Sequence, residues 1–125
     1  MKVLIVDDVP DYLNSLLRAL RGEHEVLVAE NIEKAKEQFD KTIGLALLDV
    51  RLSEEDLANR DGILLLSWIK ETYPEVPVVM MSAYRDYDAT VDALNLGAAY
   101  FLKKPINLRE LKGFVSTLAG AKSEL

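Results

Sequence analysis

The stretch Val3-Leu4-Ile5-Val6-Asp7-Asp8 decides the fold. Its four apolar residues form a continuous run rich in β-branched side chains, stopped at once by two acids. A run of that kind suits a strand buried on both faces, the situation of a parallel sheet. Parallel neighbours need crossover helices between them. The rest of the chain is therefore expected to alternate short strands with amphipathic helices.

Working outward, it does. Leu13, Leu16, Leu17 and Leu20 recur at helical spacing, with Pro10 suited to the first turn and Gly22 to the end. Glu25 to Ala29 is a second strand candidate. Asn31 can cap a second helix with Ile32, Ala35 and Phe39 facing inward. Leu45-Ala46-Leu47-Leu48 reads as a third strand on length and context, because its residues favour helix on propensity. After the polar stretch Ser53 to Asp61, a third helix carries Ile63, Leu64, Leu66, Ile69 and Lys70 and stops near Tyr73-Pro74. Val76 to Met81 is the fourth strand, with Pro77 at its tolerated start. A fourth helix carries Val91 and Leu94 and ends at Gly97. Tyr100-Phe101-Leu102 is the fifth strand, closed by Pro105. Asn107 and Glu110 form a variant capping box before a last helix presenting Leu108, Leu111, Val115 and Leu118. Five strands alternating with five helices predict one α/β domain, a parallel sheet with helices on both faces and right-handed crossovers.

The composition bounds the function. The chain has 125 residues, half of them hydrophobic, enough for one domain with a real core. It has no cysteine, which excludes disulfides, thiolate metal sites and cysteine nucleophiles. No apolar run approaches the roughly 20 residues of a membrane span, and no export signal is read, so a cytoplasmic location is expected. The formal net charge of −6 argues against direct nucleic-acid binding by charge attraction.

In an open α/β sheet, sites form beyond the carboxyl ends of the strands. Asp7 and Asp8 follow the first strand, Asp49 ends the third, Ser82 the fourth, and Lys103 and Lys104 the fifth. Three converging carboxylates repel one another, and a hard divalent cation with oxygen ligands relieves this best. A lysine ammonium neutralises further charge, and a serine hydroxyl donates to an anionic oxygen. Such parts bind a phosphoryl group, with one carboxylate as nucleophile. Singly, each residue is ordinary at a strand end: paired aspartates also favour a helix N-terminus. The set in this order is the specific signal. Residue type alone does not choose between Lys103 and Lys104.

That set resembles the receiver domain of two-component response regulators. The likeness is carried by Val3 to Asp8, by Ala46-Leu47-Leu48-Asp49-Val50-Arg51-Leu52, by Val78-Val79-Met80-Met81-Ser82-Ala83, and by Gly97-Ala98-Ala99-Tyr100-Phe101-Leu102-Lys103-Lys104-Pro105. It covers about Lys2 to Leu118. The resemblance implies a flavodoxin-like, doubly wound five-stranded sheet in the order 2-1-3-4-5, with residues 1–120 as the receiver and 121–125 as a tail or the start of a linker. It implies Asp49 as phospho-acceptor. Asp7, Asp8, Asp49 and the backbone carbonyl of Arg51 would hold Mg²⁺ (or Mn²⁺), Asp8 directly and Asp7 more through water. It further implies that Ser82 and Lys104 stabilise the phosphoryl group, that Phe101 is the switch aromatic, and that the Lys104-Pro105 bond is cis. The implied donor is a sensor histidine kinase or phosphotransfer protein. The implied output passes through helix 4, strand 5 and helix 5 to an output domain or downstream protein, with a homodimer through the same face. Such a domain is not an enzyme in the usual sense, since it promotes only its own phosphoryl transfer and dephosphorylation.

The chain departs from the family in one stretch. Asp61-Gly62, the expected glycine position, comes thirteen residues after Asp49. The loop Ser53-Glu54-Glu55-Asp56-Leu57-Ala58-Asn59-Arg60 is thereby lengthened, and Ser53 replaces the usual proline. Arg51 and Tyr84 lie where relatives tune phosphoryl lifetime. His24, the only histidine, is expected at the surface away from Asp49. Two other readings compete: a pseudo-receiver that only binds partners, favoured by the altered loop, and a nucleotide- or flavin-binding enzyme. The second lacks support, because Asp7-Asp8-Val9-Pro10 repels phosphate and no glycine-rich phosphate loop is present.

Overall fold

The computed structural model describes residues 1–53, 55–83 and 87–123. Among them, strands and helices alternate in the expected order: β1 (Lys2–Val6), α1 (Pro10–Leu20), β2 (Glu25–Ala29), α2 (Ile32–Gln38), β3 (Ile43–Asp49), α3 (Asp61–Thr72), β4 (Val78–Ser82), α4 (Tyr87–Asn95), β5 (Tyr100–Lys103) and α5 (Leu108–Ser123). The strands form one sheet in the order β2-β1-β3-β4-β5. Every pairing is parallel. The expected fold class is therefore what the chain adopts.

Successive residues of a strand point to opposite faces, and here both faces are apolar. Val3, Ile5, Leu45, Leu47, Val79 and Met81 pack with Leu13, Leu16 and Leu20 of α1 and with Leu111 and Val115 of α5. Leu4, Val6, Ala46, Leu48, Val78 and Met80 face the other way, onto Ala35 of α2, Leu65, Leu66 and Ile69 of α3, and Ala89 and Ala93 of α4. The sheet is thus shared by two cores.

Local chemistry sets the element ends. Pro10 occupies the first turn of α1. Asn31 Oδ1 accepts the Lys34 amide at 2.8 Å and caps α2; Asn107 Oδ1 does the same for the Glu110 amide at 3.1 Å at the start of α5. Gly97, with φ of 101°, closes α4: its amide donates to Leu94 and that of Ala98 to Ala93. Two details differ from expectation. Val76 and Pro77 precede β4 rather than opening it, since proline has no amide to give the ladder. The buried face of α4 is Ala89 and Ala93, while Val91 and Leu94 are exposed.

Candidate functional site

Strand order reverses between β1 and β3, and their diverging carboxyl ends leave a crevice. Register fills it. Val6 pairs with Leu48, so Asp7 and Asp8 emerge level with Asp49. Asp49 pairs with Met81, one residue before Ser82. The amide of Lys104, just past β5, donates to the Ser82 carbonyl at 2.8 Å.

The three aspartates each offer a carboxylate oxygen, and these oxygens lie within 4.8 Å of one another. Asp7 is fully buried. Its Oδ1 accepts the Val9 amide at 3.0 Å, the turn that leads into α1. Its Oδ2 accepts Lys104 Nζ at 2.5 Å, and Asp49 Oδ2 accepts the same ammonium at 3.2 Å. Lys104 is buried while Lys103 is exposed; the strand's alternation thus resolves the ambiguity between the two lysines. A cavity of about 150 Å³ opens above Asp49, lined also by Asp8, Tyr12, Arg51, Ser82 and Lys104. The Lys104–Pro105 bond is cis. Phe101 is half-buried against the α2–α3–α4 core. Glu30 and Asn31, which follow β2, lie away from the cleft, because β2 is an edge strand. His24 lies at the amino ends of the strands, its Nδ1 3.5 Å from the Met1 amino group. Tyr84 and Glu54 lie outside the described residues.

The charges are mutually dependent. Burial pushes the Asp49 carboxyl up to about 7; the Asp7 charge adds to the rise, Lys104 opposes it and Asp8 adds again. Burial pulls the Lys104 ammonium down, but the hydrogen bond to Asp7 and the charges of Asp49 and Asp7 outweigh it and hold it above its ordinary value. This donor set of hard oxygens fits Mg²⁺, which takes one or two carboxylates, waters and phosphate oxygens. The cleft is well below the roughly 300 Å³ of ordinary small-molecule pockets, so it suits a hydrated ion and a phosphoryl group rather than a nucleotide or flavin. A larger cavity of about 760 Å³ lies between α1 and α5 and holds none of these acids.

The loop from Ser53 to Arg60 brings the chain back to the end of β3. The Gly62 amide donates to the Val50 carbonyl at 3.0 Å. Asn59 Oδ1 gathers the amides of Leu52 and Asp61, both at 3.0 Å, and the Asp56 carboxylate accepts the Ala58 amide. Glu55 and Asp56 are exposed. Arg60 reaches α4, its Nη1 2.8 Å from Asp92 Oδ2.

The sequence profile of the response regulator receiver domain family matches residues 3–116. The chain belongs to that family. This receiver domain is 35% identical over 119 residues to the response regulator protein PilR of Pseudomonas aeruginosa, covering 93% of this chain and 25% of PilR. It spans about a quarter of the length of the curated relatives it matches. Among solved structures, it resembles the receiver domain of NtrX from Brucella abortus with a TM-score of 0.80 at 31% identity, covering 93% and 96% of the two chains. A CheY-like receiver domain protein from Methanospirillum hungatei gives 0.84 at 27%, covering 99% and 98%. Receiver domains are signalling switches of two-component systems rather than classical enzymes, and they generally bind Mg²⁺ through an acidic pocket. Sequence reasoning missed Tyr12 and the Arg60–Asp92 pair. For Tyr12 the available signal was its place in the first turn of the helix that follows Asp8.

Proposed function

We propose that this domain accepts a phosphoryl group on Asp49 from a phosphohistidine of a sensor histidine kinase or phosphotransfer protein. The observation that carries the reading is the buried Lys104 ammonium joined to both Asp7 and Asp49 at the mouth of a phosphoryl-sized cleft.

An Asp49 oxygen attacks phosphorus as the P–N bond to imidazole breaks, and the imidazole leaves with the bonding pair. Asp7, Asp8, Asp49 and the Arg51 carbonyl would hold Mg²⁺ (or Mn²⁺), which when bound would supply positive charge to the phosphoryl oxygens. Lys104 follows the negative charge from the carboxylate to a phosphoryl oxygen. The Ser82 hydroxyl donates to another. Ser82 ends β4 and Phe101 lies within β5, paired with Met80 two residues before it; movement of Ser82 toward the phosphoryl group frees space into which the ring turns. The result is a shift between two packings of the α4–β5–α5 face. That face exposes Val91, Leu94, Leu96 and Tyr100, an apolar surface suited to an output domain, a downstream protein or a second copy. Residues 1–120 are read as the receiver and 121–125 as a tail or the start of a linker; α5 runs through Ser123. The expected setting is the cytoplasm, as for response regulators generally, without direct nucleic-acid binding by this domain.

Incubation with Mg²⁺ and acetyl phosphate, read by intact mass, is expected to add one phosphoryl group. Asp49→Ala or chelation of Mg²⁺ abolishes the addition. No uptake by the unaltered protein, either from acetyl phosphate or from a kinase, would leave a binding module in place of a phospho-acceptor.

A further inference from the structure

Lys104 is held on a third side. Its Nζ lies 4.0 Å from the centroid of the Tyr12 ring, over its face. An ammonium has three N–H bonds; Asp7 and Asp49 take two directions, and the ring covers another. The Lys104 side chain is 3% exposed, whereas Tyr12 is 36% exposed. The ring therefore stands between the ammonium and solvent. Its place is set by the start of α1: the Asp7 carboxylate takes the Val9 amide, Pro10 begins the helix, and the first turn brings residue 12 over the strand ends.

An aromatic ring does there what no other side chain does as well. The cleft already holds three carboxylates, and a fourth acid would add repulsion and bind Lys104 in one geometry. A polar neutral group or water would compete with Asp49 for an N–H. The ring face offers negative potential without formal charge, and more so where the cation is shielded from water. Its potential is broad, so the ammonium can slide from a carboxylate toward a phosphoryl oxygen while keeping the contact.

We infer that Tyr12 is a positioning residue for phosphoryl transfer, holding the Lys104 ammonium against the acceptor through its ring face. The inference rests on Asp49 being the acceptor and adds a part that acts through Lys104. The phenolic hydroxyl has no role in it.

The test uses Tyr12→Phe and Tyr12→Leu, each alone and combined with Lys104→Gln. Uptake from acetyl phosphate with Mg²⁺ is followed by intact mass, and the Lys104 side-chain protons by NMR of the metal-free protein. Tyr12→Leu is expected to slow uptake about fivefold, a partly exposed cation–π contact's worth, and Tyr12→Phe to stay within about twofold of the unaltered protein. In the Lys104→Gln background the Leu and Phe variants become equal. The Lys104 methylene protons next to Nζ are shifted upfield by the ring current in the unaltered and Phe proteins and return downfield in Leu. Unchanged uptake in Tyr12→Leu, equal slowing in Phe and Leu, or a Leu effect that persists without Lys104 would overturn the inference. Absence of any uptake by the unaltered protein, with the ring-current shift intact, overturns the acceptor reading instead, and the positioning role with it.

Discussion

The Asp49 carboxylate, the proposed acceptor, is held beside two others and largely out of water, and the protein bears a cost for it. The cost has a sign that can be worked out. In the unfolded chain Asp49 loses its proton near its ordinary value of 3.8; in the metal-free folded state it keeps the proton to about 7. Between those values the folded state binds more protons than the unfolded one, so this group makes stability fall as pH rises, and above 7 the full cost is present. Asp49→Asn removes it. The expected outcome is a higher melting midpoint for Asp49→Asn at pH 8 with chelator, and a much smaller difference at pH 5, where the native Asp49 is still protonated. One pKa unit is worth about 1.4 kcal/mol, which moves the midpoint of a domain this size by roughly 5 °C. A variant equally stabilising at both pH values would show that ionisation is not the cause. Lys104 has the same sign of pH dependence in a higher range: its raised ammonium contributes stability that is intact through neutral pH and lost only as pH climbs through its folded value.

The connection between β3 and α3 is the longest loop in the fold, residues 50–60, and one position fixes where it must end. A Cβ on Gly62 would lie 1.9 Å from the Asp49 carbonyl oxygen and 2.8 Å from its carbonyl carbon. Whatever the length of the loop before this point, its return must be a glycine, because the helix starts against the backbone of Asp49. Gly62→Ala gains about 1 kcal/mol of helix propensity and meets backbone that cannot rotate away. The expected net loss is about 2–3 kcal/mol, read by urea unfolding, with impaired phosphoryl uptake because Asp49 is displaced. An unchanged midpoint would mean that the loop relaxes freely around residue 62. The same comparison shows what the sequence could reveal. Val3 to Val6 and Leu45 to Leu48 were legible as strands because both faces of a parallel sheet are apolar. Asp7, Asp8, Asp49 and Ser82 followed, because a strand end is where a site must be. Residue type alone did not choose Lys104 over Lys103; the family resemblance did, and the structure buries Lys104 in the cleft and exposes Lys103. The Tyr12–Lys104 and Arg60–Asp92 contacts join residues far apart in the chain, which no local period reports. The core face of α4 was missed because Ala89 and Ala93 contribute little hydropathy, whereas Val91 and Leu94 draw attention and face solvent. The exposed Arg60–Asp92 pair is worth at most about 1 kcal/mol; its interest lies in tying the unusual loop to α4.

At the scale of the whole molecule, one sheet serves two cores, and this determines how the domain can fail. Leu47 lies wholly within the core under α1 and α5, and Leu48, the next residue, within the core under α2, α3 and α4. Neither core survives loss of the strand that carries both, so the two faces should unfold together, as small single domains usually do. The chain provides a one-sided reporter. Its only tryptophan, Trp68, packs edge-on to Phe39 with ring centroids 5.8 Å apart, on the α2–α3 face. Leu47→Ala removes packing only on the opposite face, yet it is expected to lower stability by about 2–5 kcal/mol, as Leu48→Ala does. In both variants the Trp68 fluorescence transition should coincide with loss of far-ultraviolet helical signal. A Leu47→Ala protein whose helical signal melts early while Trp68 keeps its original midpoint would mean that the faces come apart independently. Joint unfolding is also what a switch at the carboxyl ends requires: a charge added at Asp49 can reach the α4–β5–α5 face only if that face belongs to the same cooperative unit, so that the alternatives open to it are two packed arrangements and not local fraying.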